Sequence, residues 1–402
     1  MAGKTQEVII VGGSLGGLFA GIVLKRLGCI VHIFERNPTP LLHDQGAGIV
    51  AGSHVQAYLT RFDRTDRPIA VTSKLRQYLN QSGLVIHQEH TEQRMTSWDL
   101  LYHILRANYD CVGSDYCQTP ATEDGEGTSS YNYGRQVLGL KTVGERIQVE
   151  YDTTQGNCST ATADLVIAAD GPSSTVRRLL TPEIQRTYAG YVAWRGTVAE
   201  HLVSPSARET FVEKFTFFHA PGTQILAYVI PGPNGTLEPG ERLINWVWYC
   251  NYAEDSPELH DLMTDSEGAT HRYTLPPDKN SKPEVLEQQR AFASQLLPPQ
   301  FAELVRKTVT PFVQAITDVL ASENIFYDGK VLVLGDALAG FRPHTAASTN
   351  QAAYDAILLS DLMEGQMALQ AWKQKTMAYA IDMQRRGVTM GERSQFGRHP
   401  FA

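Results

Sequence analysis

A chain of 402 residues, 42% hydrophobic and 19% charged, can bury a large core, and its ordinary composition excludes the disordered and fibrous classes. A net charge of −8 without a lysine/arginine run argues against a nucleic-acid-binding surface. Five scattered cysteines without a C-x-x-C pair offer neither a disulfide framework nor a metal site, and no apolar run reaches membrane-spanning length, so a cytoplasmic protein with free thiols is expected.

The first elements carry the strongest local signal. Glu7–Val11 is an apolar β-branched run that enters Gly12-Gly13-Ser14-Leu15-Gly16-Gly17 and then the helical stretch from Leu18 to Leu24. A second strand, Ile30 to Phe34, ends on Glu35, 18 residues past Gly17. Strand, glycine turn, helix and terminal acid make one βαβ unit of dinucleotide-binding size. The glycines let backbone N–H groups approach a pyrophosphate, the helix N-terminus adds partial positive charge, and the acid is placed for a ribose hydroxyl. Ser14 stands where the second glycine of G-x-G-x-x-G belongs. It also creates a G-x-S-x-G string, but a nucleophile elbow needs earlier strands and an oxyanion loop, and only thirteen residues precede this serine.

Beyond Pro38-Thr39-Pro40, Gly46 to Val50 leads into a helix from Ser53 to Phe62. Residues 63–73 read as a loop, Lys74–Leu79 and Leu84–His90 as strands, and Trp98 to Tyr109 as a helix with Leu101, Ile104 and Leu105 at helical spacing. Residues 118–134 are poor in large aliphatics and are expected to be an exposed loop. Val137–Thr142 and Arg146–Asp152 form a hairpin pattern; Asp164 to Ala169 is a buried strand ending in Asp170-Gly171, with Pro172 and Ser173-Ser174 opening a helix.

From Tyr188 to Cys250 aromatic and β-branched segments alternate with Pro/Gly turns, at 188–198, 209–218, 223–230 and 242–250, which predicts an antiparallel sheet. Polar helices with proline joints follow over 253–308, then a strand over 309–319. Lys330 to Leu334 is a short buried strand ending in Gly335-Asp336, and helices follow over 348–363 and 367–384.

Three signals stand in order: the N-terminal fingerprint; Asp170-Gly171-Pro172-Ser173-Ser174-Thr175-Val176-Arg177; and Gly335-Asp336-Ala337 followed by Arg342-Pro343-His344-Thr345-Ala346-Ala347. Together they resemble the group-A FAD-dependent aromatic hydroxylases, over nearly the whole chain. Ser14, the string Tyr188 to Thr197 and Arg342 to Ala347 look most like the branch around 2,6-dihydroxypyridine 3-monooxygenase. The resemblance implies an α/β fold: a Rossmann-like FAD-binding domain (residues 1–186, with part of the substrate region near 70–95), an inserted antiparallel-sheet substrate domain (187–320), and a return to the FAD domain with C-terminal helices (321–402). It implies FAD, NADPH or NADH as co-substrate, O2, and hydroxylation of a small aromatic substrate through a flavin C4a-hydroperoxide. A homodimer is a family-level expectation. Within the same machinery an epoxidase or oxidative-rearrangement enzyme of secondary metabolism stays open, as does an FAD oxidase or dehydrogenase that uses no nicotinamide.

Carried over by position, Gly12, Ser14, Leu15 and Gly17 would contact the pyrophosphate, and Glu35 and Arg36 the adenosine end. Gly46 to Gly48 would lie along the flavin. Asp170 would serve FAD and nicotinamide, Asp336 the ribityl or pyrophosphate portion, and Pro343 and Thr345–Ala347 the ring. Two departures stand out. The string Gly335-Asp336-Ala337-Leu338-Ala339 lacks the histidine many relatives carry, and Ser97 stands where many have an arginine, leaving Arg94 or Arg106 to take its place. For catalysis the candidates are His344, Arg195, His219 and Tyr191, with Tyr228 and Trp248 beside them; the competing reading of each is a core aromatic, a strand end or a sheet-face ion pair.

Overall fold

The computed structural model describes residues 5–40, 48–153, 156–275 and 281–401. Two sheets organise it. The first has six strands in the order Ile325–Phe326, Val331–Val333, Leu165–Ala168, Glu7–Val11, Ile30–Phe34, Ser129–Asn132, parallel except at the Ile325–Phe326 edge. Val8, Ile9, Ile10, Val166 and Ile167 are buried on both faces, as a covered parallel sheet requires. Helices Leu15–Arg26, Trp98–Asp110 and Ser348–Met363 cover one face. An antiparallel meander, Arg135–Val143, Arg146–Thr153 and Cys158–Ala163, covers the other through Val137, Ile147 and Val149.

The second sheet runs Thr274–Leu275, Phe312–Leu320, Thr187–Ala199, Leu243–Asn251, Thr223–Ile230, Lys214–Ala220, Val71–Leu79, Val85–Ser97, Gly48–Val50, with Ala339–Gly340 paired to the end of Phe312–Leu320. Side chains alternate between its faces. Val192, Trp194, Trp246 and Trp248 turn towards a core closed by Phe211, Ala293 and Phe301 of helices Pro205–Phe211, Pro283–Leu296 and Pro299–Lys307. Tyr191, Ala193, Phe215, Phe217, Leu226, Tyr228, Val247 and Tyr249 form a second cluster on the other face. That face supplies the wall of the site.

Several elements depart from the sequence expectations. Ser129–Asn132, within the expected loop, is an edge strand parallel to Ile30–Phe34. The expected strand over 209–218 is helix Pro205–Phe211 followed by strand Lys214–Ala220. Ser204 caps the helix by accepting from Ala207 N, Pro205 sits at its first turn, and Glu213 at φ 55° breaks it from the strand. The 137–152 hairpin gains the third strand Cys158–Ala163. The last helix runs from Leu369 to Gln395, through Gly387 and Gly391, instead of stopping at residue 384. Gly391 is needed there because a Cβ would come within 2.5 Å of the Tyr191 hydroxyl. Among the described residues no helix is long and apolar enough to cross a membrane, and no metal-ligand cluster occurs.

Candidate active site

The glycine turn is fixed by close approach. Gly12 has φ 99° and a Cβ there would fall 2.5 Å from the Ala169 carbonyl; at Gly17 a Cβ would fall 2.0 Å from the Gly12 carbonyl. Ser14 takes the N-cap position of helix Leu15–Arg26, is exposed, and makes no side-chain capping bond. The Leu15 side chain is buried beneath it. Glu35 is buried and accepts from Gly13 N at 2.9 Å and Asn37 N at 2.9 Å, so the acid at the strand end locks the turn. The Tyr131 hydroxyl donates to the Gly13 carbonyl at 2.8 Å from the strand absent from the sequence reading. Arg36 is exposed beside it.

Asp170 accepts from Ser174 Oγ at 2.5 Å, Thr175 N at 2.7 Å and Val176 N at 3.2 Å. Its carboxylate therefore caps helix Thr175–Leu180, and burial raises its pKa. Arg106 does not reach out from its helix: it pairs with Asp110, donates to Tyr102 and Tyr133, and lies 3.9 Å over the Tyr131 ring. Arg94 is exposed, and Ser97 caps helix Trp98–Asp110 by accepting from Leu100 N at 3.2 Å. The serine in place of arginine thus has a helix-capping role.

The two sheets meet at a cavity of about 580 Å³. One end is formed by Gly48–Val50, Pro172, Asp336 and the loop Pro343–Ser348. Gly46 lies outside the described residues. Gly48 donates to Asn245 Oδ1 at 3.2 Å, and a Cβ there would strike the Tyr228 hydroxyl at 2.6 Å, so the chain passes tightly under the aromatic wall. Ala347 is buried, and helix Ser348–Met363 begins after Ala346 in the left-handed region (φ 51°) without any side-chain cap. Its first N–H groups and their partial charge open onto the cavity.

Asp336 Oδ1 is shielded from solvent and has no hydrogen-bond partner among the described residues, and burial, opposed by a Ser348 hydrogen bond to the carboxylate, pushes the carboxyl up to about 6. An orphaned acceptor at a cavity wall, beside an uncapped helix N-terminus, fits a ligand with hydroxyl donors and a partly anionic ring, as a flavin has. The turn bearing Asp336 is held by Asp355, which accepts from Gly335 N at 2.9 Å and Gln351 Nε2 at 2.6 Å; burial raises this carboxyl to about 7. In the sequence Asp355 is an ordinary residue of the expected helix 348–363.

The other end carries the aromatic wall. His344 lines the cavity, lies 4.6 Å from the Tyr249 ring, and has Nε2 2.9 Å from the Tyr191 hydroxyl. Tyr191 is fully buried behind His344 and does not line the cavity, a correction to its place among the contact candidates. Arg342 braces both, donating to Asp318 Oδ2 at 2.8 Å and Glu392 Oε1 at 2.7 Å. Arg195 faces the cavity with Nε unpaired. His219 lines it too, stacked at 3.6 Å on His399 from the last described segment. Trp248 packs on Phe292 on the opposite face, which removes it from the candidates.

Burial, reinforced at His344 by Arg342 and Arg195 and at His219 by His399, lowers both imidazoles to about 3. Their contribution to stability is therefore complete above the unfolded value near 6.5 and declines as pH falls from there towards 3. Both ring-proton signals are expected to stay at the neutral position between pH 8 and 5 in an NMR titration of the flavin-free protein. A midpoint near 6.5 for either would contradict the assigned environment.

Comparisons with known proteins agree with this geometry. A family profile described as FAD binding domain-like matches residues 188–318. The 2,6-dihydroxypyridine 3-monooxygenase of Paenarthrobacter nicotinovorans is 31% identical over 99% of this chain and 94% of its own length. An FAD-dependent urate hydroxylase of Klebsiella pneumoniae is 28% identical over 52% of each chain. The solved structure of 2,6-dihydroxypyridine-3-hydroxylase from Arthrobacter nicotinovorans superposes with a TM-score of 0.83 at 30% identity, covering 98% of this chain and 94% of that one. Klebsiella pneumoniae HpxO in complex with FAD and uric acid shares the fold at TM-score 0.67, 18% identity, and coverage of 98% and 87%. With one unpartnered carboxylate oxygen and an open helix N-terminus on the cavity, and a relative of this identity along almost its whole length, the chain belongs to the FAD-dependent aromatic hydroxylases, the flavoprotein monooxygenases.

Proposed function

We propose that the ring hydroxylated by this monooxygenase is a small, electron-rich hydroxylated heteroaromatic of the dihydroxypyridine type. The observation that carries this reading is the pairing, in one cavity with an aromatic wall, of Arg195 with His344 backed by Tyr191. A hydroxypyridine is activated when its ring hydroxyl loses a proton. The neutral imidazole accepts a hydrogen bond from that hydroxyl, and the guanidinium of Arg195, with Nε unpaired, favours its ionisation and holds the resulting anion. The curated relative of this length acts, by its name, on 2,6-dihydroxypyridine.

In this reading Gly12, Ser14, Leu15 and Gly17 hold the FAD pyrophosphate, Glu35 and Arg36 the adenosine end, and Gly48, Pro343 and Ala347 the ring. Asp336 takes a ribityl hydroxyl, and Asp170 fixes the adjoining helix. FAD, when bound, supplies reduction by NAD(P)H and activation of O2. The protein supplies the rest. Phe215, Phe217, Leu226, Tyr228 and Val247 exclude water and orient the substrate plane. Tyr191, itself beside Arg342, fixes the His344 ring, and His219 with His399 closes the far side.

Adding 2,6-dihydroxypyridine to the yellow enzyme is expected to accelerate NAD(P)H oxidation at least tenfold and to yield a product heavier by one oxygen atom. Phenols lacking the ring nitrogen should give less. No acceleration across a panel of hydroxypyridines, or peroxide in stoichiometric yield without product, would refute the proposal.

A further inference from the structure

A second cavity, of about 430 Å³, adjoins the first and shares Arg186, Ala315 and Thr317 with it as a common wall. It lies at one edge of the large sheet, between the turn at Glu254–Ser256, helix Pro257–Leu262 and the segment His271–Tyr273. Nothing in the hydroxylation site uses its outer half.

The lining has the components that recognise a nucleoside phosphate. Arg186 lies 3.9 Å, and Arg272 5.0 Å, from the Tyr273 ring, so two guanidinium groups converge on one aromatic. Arg186 donates only to neutral hydroxyls, Thr317 Oγ1 at 2.5 Å and Ser173 Oγ at 3.0 Å. Buried Arg177 nearby donates only to the Ala337 and Pro172 carbonyls. Among the described residues neither has a carboxylate hydrogen-bond partner; Arg186 is repelled by Arg177 and Arg272 and attracted by Asp336, while Asp170 and Asp336 attract Arg177. Guanidinium groups taken from water are ordinarily paired with anions, and phosphate oxygens supply what is missing. Tyr188 and Tyr273 offer ring faces, and exposed Glu254 and Asp255 offer acceptors for ribose hydroxyls.

We propose that this second cavity binds the phosphate-bearing part of the nicotinamide co-substrate, with Arg186 and Arg272 as its phosphate partners. The site rests on the monooxygenase reading and adds to it. The single βαβ nucleotide unit is taken by FAD, and the second cavity gives the hydride donor a berth sharing a wall with the flavin cavity. Arg186 then has contacts towards both nucleotides.

The test is anaerobic stopped-flow reduction of the flavin against NADH and NADPH concentration, with wild type, Arg272→Ala and Arg272→Glu holoenzymes. Arg272 is exposed and outside the flavin contacts, so folding and FAD content should persist. The Kd for the nucleotide is expected to rise at least tenfold in Arg272→Glu and less in Arg272→Ala, with the limiting reduction rate within twofold. Dithionite-reduced variants should still form product at the wild-type rate on mixing with O2 and substrate. Equal losses for NADH and NADPH assign the site to the pyrophosphate; a loss confined to NADPH assigns it to the 2′-phosphate. An unchanged nucleotide Kd, or a rise only in the KM for the aromatic substrate, overturns the proposal. A wild-type flavin that neither nucleotide reduces would sink the nicotinamide reading itself, and this site with it, before any variant is made.

Discussion

Asp336→Ala is expected to purify without yellow colour and to regain little of it on incubation with FAD. Asp336 Oδ1 is a buried acceptor without a partner among the described residues, and a ligand hydroxyl would satisfy it. Hydrogen bonds to charged groups are worth roughly 1.5–3 kcal/mol, which weakens flavin binding about ten- to a hundredfold when the carboxylate is removed. Asp336→Asn separates binding from folding. The carboxyl is raised to about 6, so its contribution to the flavin-free fold is present below about 3.9 and is lost as pH rises through 6. The asparagine variant should therefore melt higher than wild type as apoprotein at pH 8, and lose that advantage at pH 4. With FAD bound the order at pH 8 should reverse. Full occupancy by FAD in Asp336→Ala at wild-type affinity would contradict the assignment.

His344→Phe is the second large effect. The cavity keeps an aromatic of similar size, FAD stays bound, and NAD(P)H is still consumed. Without the hydrogen bond that orients the substrate hydroxyl, product formed per nicotinamide oxidised should fall at least tenfold and peroxide should replace it. Tyr191→Phe leaves the imidazole but removes its 2.9 Å partner, and a loss of about tenfold is expected. Product yield measured against nicotinamide consumption checks both. Unchanged coupling in His344→Phe would move that hydrogen bond elsewhere in the cavity.

The βαβ unit was legible because its information is local. Gly12, Gly17 and Glu35 lie within one short segment, and the contacts that demand glycine are made by the same unit and its neighbouring strand. Asp336 was legible for a similar reason, since a buried strand ends directly on it. Long-range partners were not. Ser129–Asn132 is polar and short, and is a strand only because Ile30–Phe34 offers an edge. Arg342 is positioned by Asp318 and Glu392, 24 and 50 residues away, from separate elements. Tyr191 and Trp248 sat in equally aromatic strands, and only the faces of the folded sheet distinguish the support for His344 from a core residue. The last helix passes residue 384 as one continuous element, in which Gly387 and Gly391 serve close packing on Arg342 and Tyr191.

The alternation of faces along the large sheet has a consequence for how such enzymes diverge. Trp194, Trp246 and Trp248 hold the fold from one side, while Phe217, Leu226 and Val247 line the cavity on the other. Fold-supporting and cavity-lining positions are thus separate sets, interleaved along the same strands. A lineage can rewrite the second set while the first stays fixed, and new ring specificities become accessible through single substitutions that leave the scaffold intact.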